Sequence, residues 1–251
     1  MKRKRLQARN RTSPGRRPIS LLTDFGSADH YAGTMKGTIL SLNPRATIVD
    51  LSHEVAPYDI REAGYLLWAS YRFFPADTIF VCVVDPGVGS GRRIISVQSG
   101  GQTMVAPDNG LLDFILLEED ITNGYEILQP EMEKVSTISS TFHGRDIIAP
   151  FAARLSLGKS VRTLVRPVRL SRPSSPFYDA ETGRKTARIL HIDRFGNLVT
   201  NIPRRYFHDS DIAVGSARIS RHVSTFSEVR EGEVSKVVGS SGLVEIVARE
   251  S

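Results

Sequence analysis

Three short segments carry residue types that can do chemistry. In Asp85-Pro86-Gly87-Val88-Gly89-Ser90-Gly91-Arg92-Arg93, a carboxylate, two guanidinium groups and three glycines share nine residues. The glycines permit positive φ and a close approach of backbone to a ligand. The segment lacks the Lys-Ser/Thr of a Walker A loop and the last glycine of a dinucleotide fingerprint, so nucleotide-phosphate readings are weak. What remains is a tight turn holding Asp85 near Arg92 and Arg93, a simple salt-bridged turn in its plainest form. In Thr141-Phe142-His143-Gly144-Arg145-Asp146, His143 stands just before an expected helix start. An imidazole titrates near neutrality and can carry a proton, although a lone histidine is more often structural. In Asp193-Arg194-Phe195-Gly196-Asn197-Leu198-Val199-Thr200-Asn201, a carboxylate, an aromatic ring and an amide fall in one turn. That set suits recognition of a base and an amine. Gly-Asn is equally ordinary in a hairpin turn.

These residues need elements to position them. Residues 19–23, 46–49, 78–84 and 102–105 read as buried strands, ending at or near Asp24, Asp50, Asp85 and Asp108. Between them, Tyr31, Met35, Ile39 and Leu42 recur at helical spacing, as do Ile60, Ala63, Gly64, Leu67 and Tyr71. A further helix is expected over 146–157, with Gly158 as its stop. Strands alternating with helices predict an α/β domain with a mainly parallel sheet flanked by helices. Ligands gather at the carboxyl ends of such strands, and four aspartates at that edge mark a polar site. Residues 187–192, 198–202, 212–219, 234–238 and 243–247 read as short strands without helical period. They predict a smaller C-terminal all-β domain. The expected organisation is a disordered basic tail at 1–17, an α/β domain at 18–165, a Pro/Ser-rich linker at 166–185 and a β domain at 186–251.

Composition excludes several classes. The formal charge is +6, but eight of the 33 Lys and Arg lie in residues 1–17, where there is no acid. Without them the body has 25 basic against 27 acidic residues, a net of −2. The basic excess is thus a tail and not a binding face, which argues against a nucleic-acid partner. Cys82, alone of its kind, excludes a disulfide framework and a cysteine zinc site and fits a reducing, cytoplasmic location. No apolar run is long enough to span a bilayer, and no signal-peptide h-region follows the basic start. No cluster has metal-ligand spacing, so neither metal nor cofactor is expected.

Taken together, Leu21-Leu22-Thr23-Asp24-Phe25-Gly26 with Asp29 and Tyr31, Val84-Asp85-Pro86-Gly87-Val88-Gly89, Ala106-Pro107-Asp108-Asn109-Gly110-Leu111, Phe142-His143-Gly144-Arg145-Asp146 and Asp193-Arg194-Phe195-Gly196-Asn197 form five ordered blocks. They resemble the S-adenosylmethionine hydroxide adenosyltransferase family, relatives of the fluorinase and chlorinase enzymes, over roughly residues 19–247. The resemblance implies a homotrimer that binds S-adenosyl-L-methionine between the N-terminal domain of one subunit and the C-terminal domain of the next. It implies that Asp24 holds the ribose hydroxyls, with Tyr31 in the same binding block. Asp29 and Asp193 would meet the methionine ammonium, and Phe195 and Asn197 would lie by the adenine. Asp85, Arg92 and His143 match the Asp–Arg–His set of the water-using branch, which the halide-using relatives lack.

The implied reaction is hydrolysis: water attacks ribose C5′ and adenosine and L-methionine leave. The sulfonium needs no general acid, and water is the weak partner. Arg92 can stabilise hydroxide-like charge, His143 can accept a proton and Asp85 can orient either. Three alternatives stay open at this level: halide transfer in the manner of a chlorinase, a non-catalytic trimer that binds S-adenosylmethionine or adenosine, and a metal-dependent hydrolase using the edge aspartates. Relatives continue past the segment like Gly242-Leu243-Val244-Glu245-Ile246-Val247 with a piece that closes over adenine. Adenine contacts are therefore expected to be weaker here, or supplied differently.

Overall fold

The computed structural model describes residues 17–133, 137–179, 186–208 and 211–249. The chain forms two compact units that divide between Ser174 and Ser175.

The first unit is built on a seven-stranded sheet of order β2-β1-β3-β5-β4-β6-β7. Its strands are β1 (Ile19–Thr23), β2 (Ile48–Ser52), β3 (Ile79–Val83), β4 (Ile94–Ser99), β5 (Gln102–Pro107), β6 (Asn123–Ile127) and β7 (Val165–Arg169). The β2-β1-β3-β5 half is parallel, and β4, β6 and β7 extend it antiparallel. The first two helices are α1 (Tyr31–Leu42) and α2 (Ile60–Ser70). β1 has β2 on one side and β3 on the other. Right-handed crossovers therefore place α1 and α2 on opposite faces, with a switch point between β1 and β3. One face buries Ile19, Leu21, Ile79, Val81 and Val83 against Met35 and Ile39 of α1 and Phe151 and Ala152 of α5 (Ala149–Ser156). On α1 only the middle of the expected stripe is inside, because Tyr31 and Leu42 at its ends are exposed. α2 starts cleanly: Asp59 accepts the N–H groups of Arg61 and Glu62, and Glu62 reaches back to the N–H of Ala56. It packs on α3 (Asp113–Glu118), with the Trp68 and Phe114 rings 5.9 Å apart.

The expected α/β architecture is present, and the antiparallel half is what patterning did not reveal. β6 begins with Asn-Gly and β7 carries Pro167, both poor strand signals; β7 tolerates proline as the sheet's edge. Arg166–Arg169, whose composition suggests a linker, thus belongs to β7, while 180–185 lie outside the described residues. Of the basic tail only Arg17 is described. It is pinned to the sheet, its Nε donating to the Asp77 carbonyl and its Nη2 to Thr103 Oγ1, each at 2.8 Å. Asp50 lies inside β2, level with Leu21, and not at the strand's end. There it pairs with Lys36 (2.6 Å) and His53 (3.1 Å). α4 spans Gln129–Glu133.

The second unit is an antiparallel sheet of order β12-β13-β9-β8, formed by β8 (Ile189–Ile192), β9 (Leu198–Pro203), β12 (Val234–Val238) and β13 (Leu243–Ala248). The segment 212–219, expected as one strand, is a hairpin of β10 (Ile212–Val214) and β11 (Ala217–Ile219), since Gly215 turns the chain. Among the described residues no helix is long and apolar enough to cross a membrane. Cys82 is fully buried in β3, which pushes its thiol pKa up and leaves it a small hydrophobe.

Candidate functional site

β1 and β3 are hydrogen-bonded neighbours, with Thr23 opposite Val83. Asp24 and Asp85 therefore emerge side by side at the carboxyl edge, flanking the switch point where ligands bind in open α/β sheets. Beyond Asp85 the chain turns tightly: Val88 N–H donates to the Asp85 carbonyl and Ser90 N–H to the Gly87 carbonyl. The turn brings Arg92 back onto Asp85. Arg92 Nε lies 2.9 Å from both carboxylate oxygens, and Nη2 closes a second bond to Oδ2. Nη2 also lies 3.0 Å from His143 Nδ1. Gly89 makes this meeting possible. Its φ is +79°, and a β-carbon there would sit 2.6 Å from the Ser140 carbonyl oxygen, so a side chain would push the turn off the segment that carries His143.

His143 opens a single π-turn (Gly144–Ile148) that runs into α5, a local irregularity common at functional sites. Its side chain is buried. Burial and the Arg92 charge hold its pKa below the ordinary imidazole value, against smaller opposing effects of Asp85 and Asp146, so the ring is neutral near pH 7. A guanidinium only donates, so Nδ1 must accept from Arg92, and the proton of the neutral ring sits on Nε2. Asp85 thus orients Arg92, and Arg92 fixes the tautomer of His143. Arg92 Nη1 has no hydrogen-bond partner among the described residues, which leaves its N–H groups for a ligand. This side chain is only 11% exposed, so an anion there would meet a desolvated donor.

An aromatic cluster ties the Asp24 loop to the His143 segment. Tyr31 packs against Phe25 (5.6 Å) and edge-on to Phe142 (5.3 Å), and Phe25 meets Phe142 at 5.8 Å. Asp24 Oδ2 accepts the backbone N–H of Tyr58 at 2.9 Å. Tyr58, 71% exposed, has φ +67°, a strained conformation in a bulky residue. Its place beside Asp24 went unread in the sequence because an isolated tyrosine in a loop has no periodicity; Pro57 before it was the available turn signal. His53, also unread, accepts or donates at Thr23 Oγ1 (2.8 Å) and braces the end of β1. Asn109 donates from Nδ2 to the Val84 carbonyl (2.9 Å) and so shapes the turn, as its position suggests. Arg145 and Asp146 pair with each other, and Asp146 takes the Ser139 N–H; they do not cap the helix.

The first unit thus gathers Asp24, Tyr31, Asp85, Arg92 and His143. Asp29 is exposed, with no hydrogen bond or ion pair to the others. Asp193, Phe195 and Asn197 lie together in the second unit. Asp193 Oδ1 accepts the N–H groups of Phe195 and Asn197, and Oδ2 accepts Asn197 Nδ2, each at 2.9 Å. Phe195 is 82% exposed, which leaves its ring available for stacking. Among the described residues no group of three or more His, Cys, Asp or Glu could hold a metal ion.

Comparison with known proteins bears on both units. Residues 19–165 match the SAM hydroxide adenosyltransferase N-terminal domain, and residues 187–251 match the corresponding C-terminal domain. An (R)-S-adenosyl-L-methionine hydrolase of Salinispora arenicola is 36% identical over 242 residues, covering 91% of this chain and 88% of that protein. A fluorinase of an Actinoplanes species is 27% identical, covering 74% of this chain and 72% of its own length. The crystal structure of an uncharacterized conserved protein from Thermotoga maritima superposes with a TM-score of 0.77 at 33% identity, covering 92% of each chain.

Proposed function

The chain belongs to the SAM hydroxide adenosyltransferase family, and from that premise we propose that it hydrolyses S-adenosyl-L-methionine at ribose C5′. An oxygen from water bonds to C5′, the C5′–S bond breaks and its electrons pass to sulfur. Adenosine and L-methionine leave, and one proton is released.

The observation that carries this reading is the Asp85–Arg92–His143 chain at the switch point. Arg92 Nη1 and the Nε2–H of His143 are donors that suit an anionic oxygen. With Nδ1 occupied by Arg92, the ring has no free lone pair for a proton. The set therefore serves better to hold hydroxide than to make it, and its shielding from solvent favours charge-merging attack on a sulfonium. Asp24 would hold the ribose hydroxyls and Tyr31 would wall the same pocket. Asp29 and Asp193 would meet the ammonium, and Phe195 and Asn197 the adenine. As the family resemblance implies, the residues of the second unit would reach the substrate from a neighbouring subunit of a homotrimer. Light scattering of the purified protein tests that assembly, with three times 27.7 kDa expected.

The chemistry is tested by incubation with S-adenosyl-L-methionine in ¹⁸O-water, with chelator and with varied chloride. Adenosine labelled at the 5′ oxygen is expected, at a rate indifferent to both additives. A 5′-chloro product would establish halide transfer instead. Loss of activity to the chelator would establish a metal hydrolase, and binding without turnover would leave only a sensor.

A further inference from the structure

The second unit holds a carboxylate that its fold does not use. Glu245 sits in the middle of β13 and is only 8% exposed. Among the described residues no hydrogen bond reaches it. Val199 of β9 lies opposite Glu245 on one side and opposite His191 of β8 on the other, so all three share one face of the sheet. That face also carries Val237, opposite Glu245 on β12, and Val247, members of a small apolar cluster. On such an apolar face a carboxylate that meets no donor of the protein is open to a donor brought by a ligand. Room has been made for it: Gly239 follows β12, and a β-carbon there would collide with the Glu245 carboxylate.

The turn after β8 supplies the neighbour. Asp193 spends three of its roughly four acceptor directions inside its own turn, on Phe195 and Asn197. One direction is left for anything from outside, whereas a primary ammonium brings three N–H groups. Glu245 offers the acceptors that Asp193 lacks. The ionisable groups facing it are Asp193 from the turn and His191 from β8; Asn197 is neutral, and β9 and β12 present Val199 and Val237. We propose that Glu245 and Asp193 together form a two-carboxylate seat for one primary ammonium, the α-ammonium of S-adenosyl-L-methionine. This rests on the hydrolase reading above and adds to it a further binding residue. Burial, and then the charge of Asp193, raise the pKa of Glu245 in the empty protein, with His191 opposing. The incoming cation reverses that balance. Binding therefore releases a proton, and affinity falls as pH drops through the raised value.

Glu245→Gln, which has the shape of the protonated acid, tests the seat. KM and kcat are measured at several pH values with S-adenosyl-L-methionine and with its deaminated analogue, in which hydrogen replaces the α-ammonium. The variant is expected to raise KM for the natural substrate by about 10- to 100-fold, since a charged hydrogen bond is lost. Its kcat should change little, its KM for the analogue by less than about 2-fold, and the acid-side weakening of binding should disappear. Gly239→Ala, which displaces the carboxylate, should show the same ammonium-selective loss and serves if Glu245→Gln does not fold. Equal effects on the two substrates, or none on either, would overturn the proposal while leaving the hydrolase reading intact. A wild-type protein that neither binds nor turns over S-adenosyl-L-methionine would remove both.

Discussion

Arg92 and Arg93 are adjacent in sequence, and each meets an aspartate near the end of a parallel strand, yet the two pairs are built for different ends. Arg92 and Asp85 are 11% and 6% exposed, and their third partner is His143. Arg93 and Asp108 are 36% and 26% exposed, and the nearby group is another carboxylate, Asp113. The inner pair therefore ends in spare donors, Arg92 Nη1 and the far nitrogen of His143. The outer pair carries spare negative charge: burial and Asp108 push the Asp113 pKa up to about 6. The same ion-pair chemistry can present a site for an anion or close a turn. Burial and the third partner decide which.

Substitutions can break that contrast. Arg92→Ala should lower kcat by about 10²- to 10³-fold, the usual cost of a lost donor to an anionic oxygen, while the same change at Arg93 should not. Single-turnover rates with each variant would measure it, and equal losses would dissolve the distinction. His143→Ala should cost about 10²-fold. The pH profile sharpens its role. A general base would level kcat/KM just above the depressed imidazole pKa, below the ordinary 6.5. A neutral donor holding hydroxide predicts that kcat/KM keeps rising beyond neutrality. Gly89→Ala should lower activity by roughly 10-fold, because strain at positive φ and the approach to Ser140 part Arg92 from His143.

The smaller effects fall on the outer pair. The raised pKa of Asp113 means that the folded state binds its proton more tightly than the unfolded chain. Its relative stabilisation is complete below the unfolded value and is lost as pH rises through about 6. Asp113→Asn should therefore raise stability at pH 8 by about 1 kcal/mol, after allowance for solvent screening, and change it little at pH 4. Urea unfolding at the two pH values would show the difference. Arg93→Ala, at a half-exposed pair, should cost about 1 kcal/mol or less and leave kcat within about 2-fold.

Much of the candidate site was legible as residue types in order. Asp85, Arg92 and His143 stand in turns marked by glycine and by the approach of a helix, and Asp24 follows a strongly apolar strand. Such local signals survive without neighbours, because strand ends and turns are set by nearby residues. Asp50 misled as the fourth edge aspartate. Its strand runs three residues past Val49, the end of its apolar run, since pairing with β1 overrides local preference. β6 and β7 were illegible for a similar reason: their backbone bonds come from partners far away in sequence. Tyr58 left only the turn signal of Pro57 before it, and Glu245 only a carboxylate inside an apolar run. One is defined by a backbone bond to Asp24, the other by what lies across two strands.

The sequence by itself determined the α/β-then-β order and the family and named the candidates for the site, because motif order and hydrophobic period are properties of the chain. Only the tertiary structure decided which groups meet. It set Arg92 between Asp85 and His143, fixed which ring nitrogen keeps its proton, left Arg93 outside and placed Glu245 on the face that Asp193 approaches. The physical reason is that hydrogen-bond direction and desolvation depend on distances between segments dozens of residues apart, and those distances exist only once the sheets are assembled.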